Sequence, residues 1–260
     1  MAYPLLYYPS RQNSTAPMPG LPFQSDTSSP AMEAHLLGQI DFGRCLALQQ
    51  RLVREIAARG DAQVRLLLCE HPDVVTVGRG GSPAEVQRDS RLIRSGRLDV
   101  RWVKRGGGCL VHTPGQLAVY PILPLRGHGF SVGEYLERLQ TGIANTLQEL
   151  GIQVSTRPGQ HGIWGRTGQL VAFGVAVRDW VTYHGAFVNV SPSLGLFRVV
   201  EAAPGPTART SSLVAERQHP VKMTSVRAEL IPRLAEAFGC PRYHLHTGHP
   251  MLRPGVAPRR

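Results

Sequence analysis

Apolar side chains at Leu46, Leu48, Leu52, Val53 and Ile56, with Gln49 among them, recur at helical spacing, and Gly60 stands where such a helix would end. Continuous apolar runs at 64–69 and 74–77 predict two buried strands, broken by His71 and Pro72. A short polar helix over 84–95 and a strand over 98–103 come next. The run 117–123 predicts another strand, in which Pro121 points to an edge position or a bulge because proline cannot donate to a ladder. The clearest helix starts at Ser131, a good N-cap. It places Val132, Tyr135, Leu136, Leu139, Ile143, Leu147 and Leu150 on one face before Gly151 stops it. Strands over 162–165, 170–177 and 181–190 precede a last helix over 223–238 that carries Val226, Leu230, Leu234, Ala237 and Phe238. Long strands with no regular strand–helix–strand crossover predict an α/β fold, a mixed central sheet with packed helices, rather than a doubly wound nucleotide-binding fold.

The pattern fades at both ends. Residues 1–32 are rich in Pro, Ser, Gly and Gln with no periodic apolar face, so a disordered leader is expected there. Residues 33–240 form one domain, and 241–260 are expected to be a C-terminal tail, frayed and basic at 254–260. With 42% hydrophobic residues, the 260-residue chain can build one sizeable core. Its 29 Lys and Arg against 18 Asp and Glu leave a charge of +11, which favours acidic partners. The basic residues lack the aromatic interleaving or finger spacing of a nucleic-acid binder. Cys45, Cys69, Cys109 and Cys240 are far apart with no C-x-x-C pair, so neither a zinc site nor a redox dithiol is expected. His244, His246 and His249 lack Cys or carboxylate partners nearby in sequence, so no metal is expected there either. No apolar run approaches about 18 residues and no signal peptide is visible, so the expectation is a cytoplasmic protein without a membrane span.

The densest chemistry lies in Lys104-Arg105-Gly106-Gly107-Gly108-Cys109-Leu110-Val111-His112-Thr113-Pro114-Gly115-Gln116. Three consecutive glycines let backbone N–H groups approach a ligand closely, and only residues without Cβ tolerate the dihedrals this needs. Arg105 and His112 flank them and can donate to a carbonyl or an anion, so ligand contact is expected.

Arg105-Gly106-Gly107, His112, Pro114, Gly115 and Gln116, leading into Tyr120-Pro121-Ile122-Leu123, resemble the signature of the lipoate-protein ligase B octanoyltransferases. The likeness extends upstream through Glu70-His71-Pro72-Asp73-Val74-Val75-Thr76-Val77-Gly78-Arg79. Downstream it runs through Gly162-Ile163-Trp164, Gly174-Val175-Ala176-Val177, Trp180-Val181-Thr182-Tyr183-His184-Gly185 and Asn189-Val190, so that it spans 36–213. The resemblance implies the fold shared by lipoate and biotin protein ligases, with helices on one side of the sheet and a pocket under the 105–112 segment. It also implies transfer of an octanoyl group from acyl carrier protein to a lysine of a lipoyl domain, such as the glycine-cleavage H protein or a 2-oxoacid dehydrogenase subunit, without a cofactor. In that family a cysteine takes the acyl group as a thioester and a nearby lysine lowers the cysteine's pKa.

This chain departs from the pattern at both positions. Matching Leu194, Phe197 and Ser212-Leu213 to the family segment without gaps puts Ala203 at the cysteine, and counting back from Gly174 puts Gln169 at the lysine. Glu201-Ala202-Ala203-Pro204 holds no cysteine, and no lysine lies between Gln153 and Val221. Gly108 also stands where the family usually has Gln or another polar residue. The resemblance implies that Arg105, Gly106, Gly107, Gly108, Cys109, Leu110, Val111 and His112 bind substrate, together with Ala172, Phe173, Gly174, His184, Gly185, Ala186 and Phe187. Phe173, Phe187 and Val175 would line an acyl slot, burying methylenes at about 0.8 kcal/mol each, or serve as ordinary sheet core. Cys109, close in sequence to Lys104, Arg105 and His112, is either a substitute nucleophile or a small buried hydrophobe that strand alternation turns away. His184 is either a base or a structural hydrogen-bonding group. Two functions stay open: an octanoyltransferase with a non-standard mechanism, and a catalytically inactive paralogue that binds the acyl group, acyl carrier protein or a lipoyl domain.

Overall fold

The computed structural model describes residues 30–86, 93, 95–96, 98–157, 160–199 and 209–252. Strand β1 (Ala31–Gln39) leads into α1 (Phe42–Arg59), β2 (Val64–Glu70) and β3 (Val74–Val77). Then come β4 (Asp99–Trp102), β5 (Cys109–His112), β6 (Gln116–Ile122), the single turn α2 (Leu125–His128) and α3 (Val132–Glu149). The chain continues through β7 (Ser155–Arg157), β8 (Gln160–Trp164), β9 (Gln169–Arg178), β10 (Val181–Asn189), α4 (Leu213–Arg217), α5 (Met223–Ala237) and β11 (Arg242–Thr247).

Eight strands form a mixed sheet in the order β11-β1-β2-β6-β10-β9-β8-β7, and β4-β3-β5 form a separate small sheet. Alternation along the central strands sorts the core into two layers. Leu66 and Leu68 of β2 and Leu117 and Val119 of β6 pack with Leu139, Ile143, Leu230 and Leu234 of α3 and α5. Leu67, Cys69, Ala118, Tyr120 and Ile122 face the other way, onto Cys45, Leu48, Leu52 and Ile56 of α1. Helices therefore cover both faces of the main sheet rather than one, because its central strands are apolar on both sides.

The helix boundaries follow local chemistry. Gly60, at φ +66°, closes α1 in the left-handed conformation. Ser131 and Glu134 form a reciprocal capping box at the start of α3. Tyr135, Leu139, Ile143 and Leu147 are fully buried, each contributing about 1.5–3 kcal/mol by burial. Val132, expected on that face, is exposed, since the first turn overhangs the sheet.

Other expectations are corrected. Residues 31–32 belong to β1, and Met32 is fully buried, so the ordered domain begins inside the expected leader; residues 1–29 lie outside the described residues. Within the expected tail, 242–247 form β11, which pairs in parallel with 31–36. Tyr243 and Leu245 alternate with polar residues along it but stay exposed, so what holds this edge strand is the backbone ladder it completes. Residues 253–260 lie outside the described residues. Of the expected helix 84–95, the structure describes a single turn at Pro83–Glu85 and a helical residue at Ile93, and 87–92 and 94 lie outside the described residues. Pro121 is in an interior strand, not at an edge. It lies past the end of the β6–β10 ladder, where β10 distorts: His184 has φ +56°, and a Cβ on Gly185 would overlap the Val119 carbonyl oxygen.

Candidate functional site

The glycine segment lies across the face of the main sheet that α1 covers, interlocked with a second glycine-rich turn. Gly78 and Gly80 N–H donate to the carbonyls of Gly108 and Gly107, both at 3.1 Å, and Arg79 N–H donates to the Arg105 carbonyl at 3.0 Å. Gly106 N–H donates to Val175 of β9 at 2.8 Å. Gly107 has φ +77°, where an L side chain is strained. The Arg105 side chain lies over Gly174, whose added Cβ would stand 2.6 Å from the arginine Cδ.

Arg105 is fully buried. Its Nη1 donates to the Gly106 and Gly108 carbonyls at 2.9 Å, and its Nη2 to the Thr76 carbonyl and Oγ1 at 2.8 and 2.7 Å. Burial pulls its pKa down to about 10. Arg105 thus holds the loop together rather than presenting itself to an anion as expected, with only the buried Nε lacking a partner among the described residues.

A hydrogen-bond relay continues from it. The Thr76 hydroxyl, 2.8 Å from His112 Nε2, donates to that nitrogen while accepting from Arg105. Nδ1–H of His112 then donates to Gln116 Oε1 at 3.0 Å, and Gln116 Nε2 donates to Asn189 Oδ1 at 2.9 Å and the Val111 carbonyl at 3.1 Å. Every polar atom of the chain is matched in this tautomer, so His112 is neutral, and burial, followed by His71 and Arg105, depresses its pKa well below the ordinary value. His184 N–H donates to Gln49 Oε1 of α1 at 2.8 Å, and its Nδ1 is unpartnered among the described residues. Burial, then the charges of Arg105 and His71, lowers its pKa to about 3. Phe42 stacks at 5.4 Å on His112 and 6.3 Å on His184, and Phe187 lies 4.5 Å from His112.

These histidines make acid destabilising. Their folded pKa values lie below the unfolded value, so under pH 6.5 the unfolded chain binds protons the folded imidazoles refuse. Stability is full above that pH and falls toward the folded value of about 3 for His184, each group removing about 1.4 kcal/mol per pH unit. Urea midpoints measured at pH 7 and pH 5 should drop less in His184→Asn, which tolerates the left-handed backbone, than in the parent. Equal drops would refute the assignment.

Cys109 faces away from this relay. Alternation along β5 turns Leu110 toward the α1 layer, whereas Cys109 and Val111 pack into the core of the small sheet with Val75 and Val77. Its Sγ donates to the Ser82 carbonyl at 3.7 Å. Burial and the adjacent Glu85 carboxylate push its pKa to about 11, leaving about one thiolate in ten thousand at pH 7. Cys109 is therefore not set up as a nucleophile, and Cys109→Ser should leave the activity of the chain unchanged.

The expected acyl slot also divides. Phe173 pairs with Ala186 in the α3–α5 layer, and Phe187 pairs with Ala172 on the α1 side, so period-two alternation puts the two rings on opposite faces. Gln169 begins β9, donating its N–H to the Arg209 carbonyl at 2.8 Å and accepting Ser211 N–H at 2.9 Å. Ala203 lies in 200–208, outside the described residues. Thr167 and Arg166, beside Gln169, are tied to the buried Glu216 of α4. A cavity of about 360 Å³ lies at the other end of α1, lined by Glu33, His35, Leu52, Arg65, His246 and Met251.

Thr76, Gln116, Asn189 and Gln49 were missed as site residues. The signal existed for Thr76, a polar residue inside the fully buried strand 74–77.

Superposition places this architecture among the lipoate-protein ligase folds. It matches the crystal structure of lipoate-protein ligase A bound with ATP with a TM-score of 0.66 over 84% of this chain and 90% of that one, at 17% identity, a likeness of fold alone. The model of the lipoyl protein ligase A/B catalytic domain matches residues 41–237. The octanoyltransferase of Geobacter metallireducens is 36% identical over 197 residues, 76% of this chain and 89% of that protein. That of Geotalea uraniireducens is 35% identical over 194 residues, 75% of this chain and 87% of that protein. The chain therefore belongs to the lipoyl protein ligase A/B catalytic-domain family, on its lipoate-protein ligase B side, as the motif resemblance implies.

Proposed function

We propose that this chain is an octanoyltransferase of lipoate biosynthesis that acts without a thioester on its own cysteine. The supporting observation is the pairing of Gln169 with Arg209: residue 209, six positions after Ala203 in sequence, lies next to the residue at the family's lysine position, and neither position holds reactive chemistry. Octanoyl-acyl carrier protein is the donor, and a lysine of a lipoyl domain, on the glycine-cleavage H protein or a 2-oxoacid dehydrogenase subunit, is the acceptor. The lysine amine attacks the thioester carbonyl directly, so the N–C bond forms, the C–S bond breaks, and the carrier thiolate leaves with the amine proton. Positioning two carriers is enough to supply several kcal/mol of barrier reduction. The charge of +11 suits acidic carriers in the cytoplasm, and none of the described helices is long and apolar enough to cross a membrane.

The same two positions favour a second reading, a catalytically inactive paralogue that binds the acyl group or either carrier. Incubation with octanoyl-acyl carrier protein and apo H protein, followed by intact mass, separates them. Octanoyl on the H protein, with none on this chain at any time, is the expected result. Binding of a carrier without transfer supports the second reading, and absence of binding to either carrier refutes both.

A further inference from the structure

Cys45 of α1, Cys69 at the end of β2 and His71 just beyond it converge in the buried layer between helix and sheet. Their two Sγ atoms and the His71 Nε2 lie within 4.8 Å of one another, and all three residues are buried. Cys45 Sγ is 3.8 Å from Cys69 Sγ, and Cys69 Sγ is 3.6 Å from His71 Nε2. A tetrahedral zinc ion, with Zn–S bonds of about 2.3 Å and Zn–N bonds of about 2.0 Å, spaces two sulfurs by about 3.8 Å and a sulfur and nitrogen by about 3.5 Å. Both measured separations meet those values.

The surroundings point the same way. His71 Nδ1–H donates to the Ile40 carbonyl at 2.8 Å, which fixes the tautomer and leaves the Nε2 lone pair toward the sulfurs, the arrangement of a ligating histidine. In the metal-free protein the Tyr120 hydroxyl donates to the same Nε2 at 2.8 Å, and it turns away when the metal binds. Gln49 Nε2 donates to Cys45 Sγ at 3.7 Å, which stabilises a thiolate. We propose that Cys45, Cys69 and His71 form a buried zinc site, three protein ligands that leave a fourth position for water. Two thiolates neutralise the dication, so the assembled unit carries no net charge into the core. Thiolate ligands bind only after their protons leave, so affinity rises with pH. The site would tie α1 to β2 directly beneath Phe42, which packs 5.2 Å from His71 and 5.4 Å from His112. A disulfide is the competing fate of the two sulfurs, but it requires closure to about 2.05 Å and gives His71 no role.

The test uses the full chain without a histidine tag, purified without chelator and equilibrated with zinc before desalting. One zinc per chain is expected by mass spectrometry of the metal. Cobalt substitution should give thiolate-to-cobalt charge-transfer bands, lost in Cys45→Ser and Cys69→Ser and kept in Cys109→Ser and Cys240→Ser. Should the serine variants fail to fold, the parent's metal content and cobalt spectrum still decide the question. A parent chain with negligible zinc, or an intact mass lower by two hydrogens with Cys45 linked to Cys69, overturns the site. The result does not depend on whether the chain transfers octanoyl groups.

Discussion

Arg105→Met lowers the stability of this protein by about 3 kcal/mol, because it strips the Gly106, Gly108 and Thr76 carbonyls of a buried donor, each worth about 1–3 kcal/mol when left unsatisfied. The loss is smaller than the sum of three such penalties, since the variant also relieves the desolvation of a buried guanidinium, the cause of its depressed pKa. For a chain of this size the melting midpoint should fall by roughly 6–12 °C. Arg105→Lys should lie between parent and methionine variant, because one ammonium cannot span carbonyls on both the glycine segment and β3. Calorimetry of the three proteins at pH 7 checks the order. A methionine variant that melts with the parent would show that the loop holds itself, through Gly78, Gly80 and Gly106 alone.

That expectation reverses the natural reading of the motif. In the sequence, an arginine beside three glycines looks like a ligand donor, because arginine is the usual partner of anions and glycine the usual sign of close approach. Both residue types are used here for close approach, but within the protein: Gly174 leaves room for the Arg105 side chain, and Gly107 adopts the conformation that lets the two turns interlock. What a residue can do was legible; which surface it would face was not. The helices were readable because their signals are local, as with Gly60 and the Ser131 box. β11 was missed because its stability comes from a backbone ladder with residues more than two hundred positions earlier, and its one short alternation, Tyr243 and Leu245, is exposed and buries no face. The direction of Cys109 and the split of Phe173 from Phe187 turn on which face of a sheet is which, and that is set by register between distant strands. Cys45, Cys69 and His71 belong to the same class. The two sulfurs are 24 positions apart, outside any ligand spacing a sequence would flag, and meet because α1 packs back on β2.

The variant Ala203→Cys/Gln169→Lys is expected to transfer octanoyl groups about 10²–10⁴-fold faster than the parent, the range a correctly placed proton-transfer group contributes. Neither single change should give much. A cysteine at 203 without a neighbouring ammonium keeps an ordinary thiol pKa and is only a few per cent thiolate at pH 7. A lysine at 169 without a thiol has nothing to activate. The two changes should therefore be strongly non-additive, with a coupling of about 1.4 kcal/mol for every tenfold by which the pair exceeds the product of the singles. Position 169 is suited to the exchange: its backbone is pinned by Arg209 and Ser211 on one side and by Trp164 of β8 on the other, so a new side chain starts from a fixed point. An octanoyl adduct on the chain itself, trapped by acid quench, distinguishes the restored thioester route from direct attack by the acceptor lysine. A double variant that binds octanoyl-acyl carrier protein yet forms no adduct would show that position 203 does not meet position 169, and the account of why this family member lacks its usual chemistry would have to begin elsewhere.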